Sequence, residues 1–237
     1  MKRFWKQAEV VDGDGSFGIA LDGRRVKTPG QTDLTVPAKE LAEAITAEWN
    51  ECGETVDPRA MPLTGLANAA IERVEPDPKA FAAGLARYAE NDLTCYRAEG
   101  PAMLVARQAE SWDALLAWAR RRFDVDFNCV SGVMHVAQPT ETMRKLDHAV
   151  HSLGAFQLAG LSSLVTIGGS LIAALAVLEE MIPAEAAWEA VSLDDRWQLE
   201  QWGDDPEARS ALDARRRDFM AGARFLELLS SGERPIP

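Results

Sequence analysis

Four groups of residues have types and spacing that could do chemistry. Cys95, in DLTCYR, could act as a nucleophile, but only as a thiolate, which needs a nearby base. The histidines are His135, His148 and His151, and no signature ties any of them to Cys95, so a buried structural cysteine is the competing reading. His148 and His151 share a helix face with Asp147 and could present metal ligands. Two imidazoles and one carboxylate fall short of a zinc site, and HExxH is absent, so an exposed helix face is expected and no metal is assigned. Gly13-Asp-Gly-Ser-Phe-Gly18 spells GxGxxG, a pyrophosphate cradle when it opens onto a helix N-terminus. Here three residues separate it from the next Asp-Gly turn, which leaves no room for that helix and points to a hairpin.

The fourth group is compositional. Residues 179–207 carry Glu179, Glu180, Glu185, Glu189, Asp194, Asp195, Glu200, Asp204, Asp205 and Glu207 against Arg196 alone, interleaved with Trp188, Trp197 and Trp202. Aromatics beside acids can form an interaction surface, since aromatics anchor interfaces while charges select the partner and speed its approach. The competing reading has the tryptophans in the core and the acids on a solvated face, and it is expected to hold for Trp188. Paired carboxylates also serve glycoside hydrolysis, but nothing marks one of these acids as shielded by apolar neighbours.

The elements that must position these groups change character along the chain. From Phe4 to Pro37, short alternating runs are punctuated by Asp12-Gly13, Asp22-Gly23 and Pro29-Gly30, which predicts several antiparallel strands joined by tight turns. Leu41, Ala44, Ile45, Glu48 and Trp49 then give a helix running to about Cys52, and LTGLANAAIERV gives a short one ending before Pro76. That proline-containing joint divides an N-terminal domain, 1–76, from a helical domain, 77–237. The helical part holds segments at 79–91 and 102–123, a weakly alternating stretch at 127–136 read as a hairpin or crossover, and helices from Thr140 onward. Ser192 is the expected N-cap of a helix over 193–202, and a last helix starts at Glu207. Residues 153–178 carry no charge and must be covered on all sides. Four glycines and several hydroxyl side chains dilute the segment, and the basic and aromatic anchors of a membrane span are missing, so it is expected as the central buried helix, broken by its glycines.

The whole chain sets bounds. A net charge of −12 repels phosphate backbones and argues against nucleic acid as a partner. Three cysteines without a CxxC pair suit a reducing compartment. The N-terminus shows neither an apolar signal region nor an amphipathic leader, which predicts a protein that is neither secreted nor imported.

Several blocks together carry a resemblance: RFWK at 3–6, LDGRRVKTP at 21–29, LAEAITAEWN at 41–50, MPLTGLANAAIERV at 61–74, DLTCYRAEGP at 92–101, QAESWDALLAW at 108–118 and WQLEQWGDDPEA at 197–208. In this order they resemble the ATP12 family, assembly chaperones of the F1 part of ATP synthase. The resemblance implies an α+β fold, with an N-terminal domain of antiparallel strands and helix followed by a C-terminal orthogonal helical bundle. It implies a chaperone that binds the free F1 α subunit and shields its apolar intersubunit surface until the β subunit takes its place, without catalysis, cofactor, metal or membrane insertion. A bacterial-type member acting in the cytoplasm, and monomeric, is the expectation. The family's dependence on an acid near the C-terminal Trp-Gly block falls by motif match among Glu200, Asp204, Asp205 and Glu207, with Trp202 beside them; Glu200 and Glu207 are the leading candidates. Two alternatives stay open: a cysteine-dependent enzyme using Cys95, and a small-molecule carrier with its pocket along the glycines of the central segment.

Overall fold

The computed structural model describes residues 2–203 and 205–231. Its four-stranded sheet lies early and most of its helices follow, with two short strands among them, the α+β arrangement expected. Strand β1 (Ala8–Asp12) pairs antiparallel with β2 (Phe17–Leu21), and β2 with both β3 (Arg24–Arg25) and β4 (Thr35–Val36). The Asp22-Gly23 turn places both residues at positive φ, 47° and 78°, as a primed two-residue hairpin requires. Asp22 also accepts hydrogen bonds from the Lys6 and Gln7 amides, which hold its carboxyl below the usual carboxylate range. The GxGxxG letters form the β1–β2 turn, with Gly13 N–H donating to Ser16 O at 2.7 Å, so no helix opens there.

Helix α1 (Lys39–Glu51) lays Leu41, Ala42, Ile45 and Trp49 against the sheet. Its end is fastened by side chains. Asn50 exchanges two hydrogen bonds with the backbone of Ala8, and Arg3 donates to the carbonyls of Asn50 and Cys52. Helix α2 (Pro62–Ala69) continues into a wider π-helical turn over 70–74. Its N-terminal amides at Leu63 and Thr64 donate to Glu48, whose carboxyl burial pushes up despite those bonds. Among the described residues, chain contacts gather 2–78 with 154–160 and 224–231 into one unit, and 79–153 with 161–203 and 205–223 into a second. In the first unit Phe156 stacks on Phe225 at 6.3 Å, and Gly160 meets Leu226.

The second unit is helical: α3 (Pro78–Ala86), α4 (Ala102–Phe123), α5 (Thr140–His151), most of α6 (Ala155–Gly168), α7 (Leu171–Leu178), α8 (Ala184–Val191), α9 (Leu193–Trp202) and the first two-thirds of α10 (Pro206–Ser231). Helix α4 is central, packing on α5, α7, α8 and α9. Its Trp112 is fully buried and donates Nε1–H to Ala190 O at 2.8 Å. The 127–136 stretch is a crossover, in which β6 (Val130–Ser131) pairs parallel with β5 (Tyr96–Arg97).

The charge-free segment breaks where Gly169 takes φ 67° and Ser170 caps α7 through Ala173 N–H. Its first residues, 154–160, belong to the first unit, so only the remainder sits in the helical core. No helix among the described residues is long and apolar enough to cross a membrane. One capping expectation fails. Ser192 precedes α9, but its hydroxyl donates to Trp188 O at 2.7 Å, because its backbone is near-helical and aims the side chain back at the preceding turn.

A candidate client groove between helices α9 and α10

Gly203, at φ 95°, ends α9, and α10 begins three residues later at Pro206. Asp205 caps α10, its Oδ1 accepting from Glu207 N at 2.9 Å while its carbonyl accepts from Arg209 N. Between the helices lies a cavity of about 680 Å³, floored by Leu199, Ala208, Ala211 and Leu212, with Asp205 at one end. Asp195 and Arg215 stand at the other end, paired at 2.8 Å. Arg215 also donates to Ile167 O at 3.2 Å, which ties α10 to α6. From Pro206 to Asp218 helix α10 is exposed apart from Leu212 and Ala214, so its inner stripe is only partly covered.

The acids of 179–207 are for the most part engaged. Glu179 holds Arg122, Glu189 holds Arg196, and Asp194 accepts from Gln108 at 2.8 Å. Glu200 lies 2.6 Å from Arg107, whose guanidinium sits 4.9 Å above the ring of Trp197. Trp197 and Trp188 are buried, and Trp188 packs on Phe219. Glu207 differs from Glu200: it is exposed on the first turn of α10, with no side-chain partner among the described residues. Asp204 and the side chain of Trp202 lie outside what the structure describes. Asp205 and Glu207 therefore share one corner, while Glu200 faces Arg107.

The other candidate chemistry resolves differently. Cys95 is fully buried, and its thiol is pushed up, chiefly because it donates a hydrogen bond to Cys129 and also by burial, the reverse of what a nucleophile needs. Among the described residues no histidine bonds to it; His135 is instead engaged by Tyr96 and Asn91. His151 turns back to Asp147, with Nδ1 2.8 Å from its carbonyl and 3.3 Å from its carboxylate. No cluster of three metal-binding side chains occurs among the described residues. Of the glycines of the central segment, Gly160 is covered by Leu226 and Phe225 and Gly168 by Val191.

A residue that sequence inspection passed over is Asp92. It is fully buried and accepts from Thr94 N–H, Thr94 Oγ1, Ser170 Oγ and Ile172 N–H at 2.7–3.0 Å. Burial raises its carboxyl, opposed by those four bonds. The Asp-x-Thr spacing at 92–94, where an Asx turn opens a short helical turn, was the available signal.

Comparison with known proteins gives a consistent result. A family model described as ATP12 chaperone protein matches residues 2–120. A crystal structure of Atp12 from Paracoccus denitrificans is 40% identical, covers 96% of this chain and 98% of that one, and superposes with a TM-score of 0.91. An aspartate-to-lysine mutant of the P. denitrificans protein gives 39% identity, coverage of 96% and 97%, and the same TM-score. Mitochondrial protein atp12 of Schizosaccharomyces pombe is 26% identical over 214 residues, 85% of this chain and 74% of that protein.

Proposed function

The chain belongs to the ATP12 family of ATP synthase assembly chaperones, and from that premise we propose that it binds the free F1 α subunit and shields the apolar surface through which α later meets β. The observation that carries this reading is the α9–α10 groove, an apolar floor left partly open with acids at its corner. An unassembled subunit exposes a large apolar patch that would otherwise aggregate. Leu199 and Leu212 offer apolar contacts to such a patch, while Asp205 and Glu207 attract basic groups at its rim. A chaperone that must give way to β needs fast release, which suits a small groove with few anchors.

The test is co-expression of the full chain with α alone or with β alone, measuring soluble client. Soluble α should rise and β should not. Leu212→Asp, which puts a charge on the groove floor, should cut α binding by roughly 5- to 30-fold, the effect of losing one anchor worth about 1–2 kcal/mol. Equal rescue of α, β and an unrelated unfolded protein would overturn the reading.

A further inference from the structure

The strand register Tyr96↔Val130 and Arg97↔Ser131 places Cys95 directly beside Cys129, at the start of a parallel pair. Cys95 ends the short helical turn that leads into β5 and Cys129 immediately precedes β6, and adjacent strands lie ~4.8 Å apart, inside the Cα separation that a disulfide spans. Both thiols are free, and their exposure is opposite: Cys95 is fully buried and Cys129 is exposed. Arg97 and Arg120 supply positive charge beside Cys129. Both arginines are fixed, Arg97 by Asp113 at 2.7 Å and by Thr94 O, and Arg120 beside Asp126 and over the ring of Phe127.

From this arrangement we infer that Cys129 and Cys95 form a hydroperoxide-reactive thiol pair, in which Cys129 is the attacking sulfur and Cys95 the resolving one. The Cys129 thiolate attacks the outer oxygen of a hydroperoxide, the O–O bond breaks, and the leaving alkoxide or hydroxide takes a proton, giving the Cys129 sulfenic acid. The Cys95 sulfur then attacks the Cys129 sulfur; its thiol proton and the sulfenic hydroxyl leave as water. One hydroperoxide is reduced by two electrons and the two thiols are joined as a disulfide. The bond would clamp the turn at Asp92–Cys95 to the 125–131 crossover. Nothing in this depends on the client groove.

The electrostatics agree with Cys129 as the sulfur that meets the hydroperoxide. Two of the causes that raise Cys95, its hydrogen bond to Cys129 and the Cys129 charge, disappear once Cys129 is a sulfenic acid, which frees Cys95 for the second step. The hydrogen bond from Cys95, with Arg97 and Arg120, lowers the Cys129 thiol to about 6, while burial and the Asp113 carboxylate oppose this. The Cys95 thiol is raised by the same hydrogen bond, by burial and by Asp92. At pH 6 the thiolate fraction of Cys129 exceeds that of a free cysteine by roughly 150-fold, and the lower nucleophilicity of a low-pKa sulfur leaves alkylation about tenfold faster.

The experiment treats the purified full chain with equimolar hydrogen peroxide, then blocks thiols and maps peptides by mass spectrometry. A Cys95–Cys129 link that reverses with dithiothreitol, unchanged in Cys52→Ser and absent in Cys129→Ser, is expected. In Cys95→Ser, dimedone should trap a sulfenic acid on Cys129; the wild-type map stands alone if that variant does not fold. Iodoacetamide at pH 6 should label Cys129 about tenfold faster than free cysteine. A chain-to-chain disulfide through Cys129, direct over-oxidation of Cys129, or no reaction would each overturn the inference.

Discussion

Glu200 and Glu207 are both acids of the same sequence block, and the structure separates their expected roles. Glu200→Lys replaces an attraction to Arg107 by a repulsion. Both side chains of the pair are roughly half exposed, 48% and 44%, so the pair contributes only ~0.2–1 kcal/mol. Reversal adds a repulsion of similar size, for a total of about 0.4–2 kcal/mol, or a melting temperature lower by roughly 1–8 °C in a chain of this length. Glu207→Lys breaks no described ion pair and loses only a favourable charge at a helix N-terminus, about 0.3–1 kcal/mol. If the α9–α10 corner meets basic groups of the client, Glu207→Lys should lower capture of α about tenfold at low salt, chiefly through association rate. That deficit should fade near 1 M salt, where the Debye length is ~3 Å. Arg107→Ala is the control: it frees the Glu200 carboxylate and unloads Trp197. Should Glu200 act only by holding Arg107, Arg107→Ala and Glu200→Lys will shift melting and capture together. The assay pairs soluble α in co-expression with calorimetric melting of each variant. Unchanged capture by a folded Glu207→Lys, at every salt concentration, would refute the assignment of that corner.

Three further outcomes follow from buried contacts. Asp92→Asn keeps the bonds to Thr94 and Ser170 on Oδ1 but turns an amide N–H toward Ile172 N–H, costing about 1–3 kcal/mol in chemical denaturation. Because burial raises the folded-state pKa of Asp92, its favourable contribution is fully present below the ordinary aspartate value of about 3.9 and declines as pH rises through the raised value; the wild-type advantage over Asp92→Asn should therefore shrink from acid to neutral pH. Gly160→Ala should destabilise by roughly 1–3 kcal/mol, since a methyl there falls 2.7–2.8 Å from Leu226 side-chain carbons, whereas Gly84→Ala in α3 meets nothing within 4 Å and should stabilise by about 0.5–1 kcal/mol. Opposite signs in thermal melts are the check.

The fold was legible where local chemistry has few solutions. Asp22-Gly23 reads as a primed turn, and of the apolar stripe expected in α4 at Leu104, Ala109, Trp112, Leu115, Leu116 and Ala119, all but the half-buried Ala109 are buried, with Gln108 the unforeseen buried member. Gln108 escaped because its burial depends on two partners distant in sequence, the Ala98 amide and Asp194. The same cause hides Asp92, whose acceptor role becomes visible only when α7 brings Ser170 and Ile172 to it. The crossover at 127–136 was ambiguous because parallel pairing with β5 joins segments more than thirty residues apart and leaves no turn signature. Ser192 misled because an N-cap needs an extended backbone as well as a hydroxyl, and its φ of −97° with ψ 8° supplies only the second.

The acidic segment shows why composition overstated the candidate site. Read as a string, 179–207 is a surface of ten acids. Folded, Glu179, Glu189, Asp194, Asp195 and Glu200 turn to Arg122, Arg196, Gln108, Arg215 and Arg107, four cations and an amide that the sequence places on other turns and other helices. Their charges are spent within the helical unit, and screened pairs of this kind neither steer a partner nor anchor one. At the α9–α10 corner the described acids are Glu207 and the capping Asp205, beside an apolar floor of Leu199 and Leu212. A site of that composition gives most of its selectivity through approach and most of its hold through a few apolar contacts. That division of labour is what the proposed shielding and release of an α-subunit client would need.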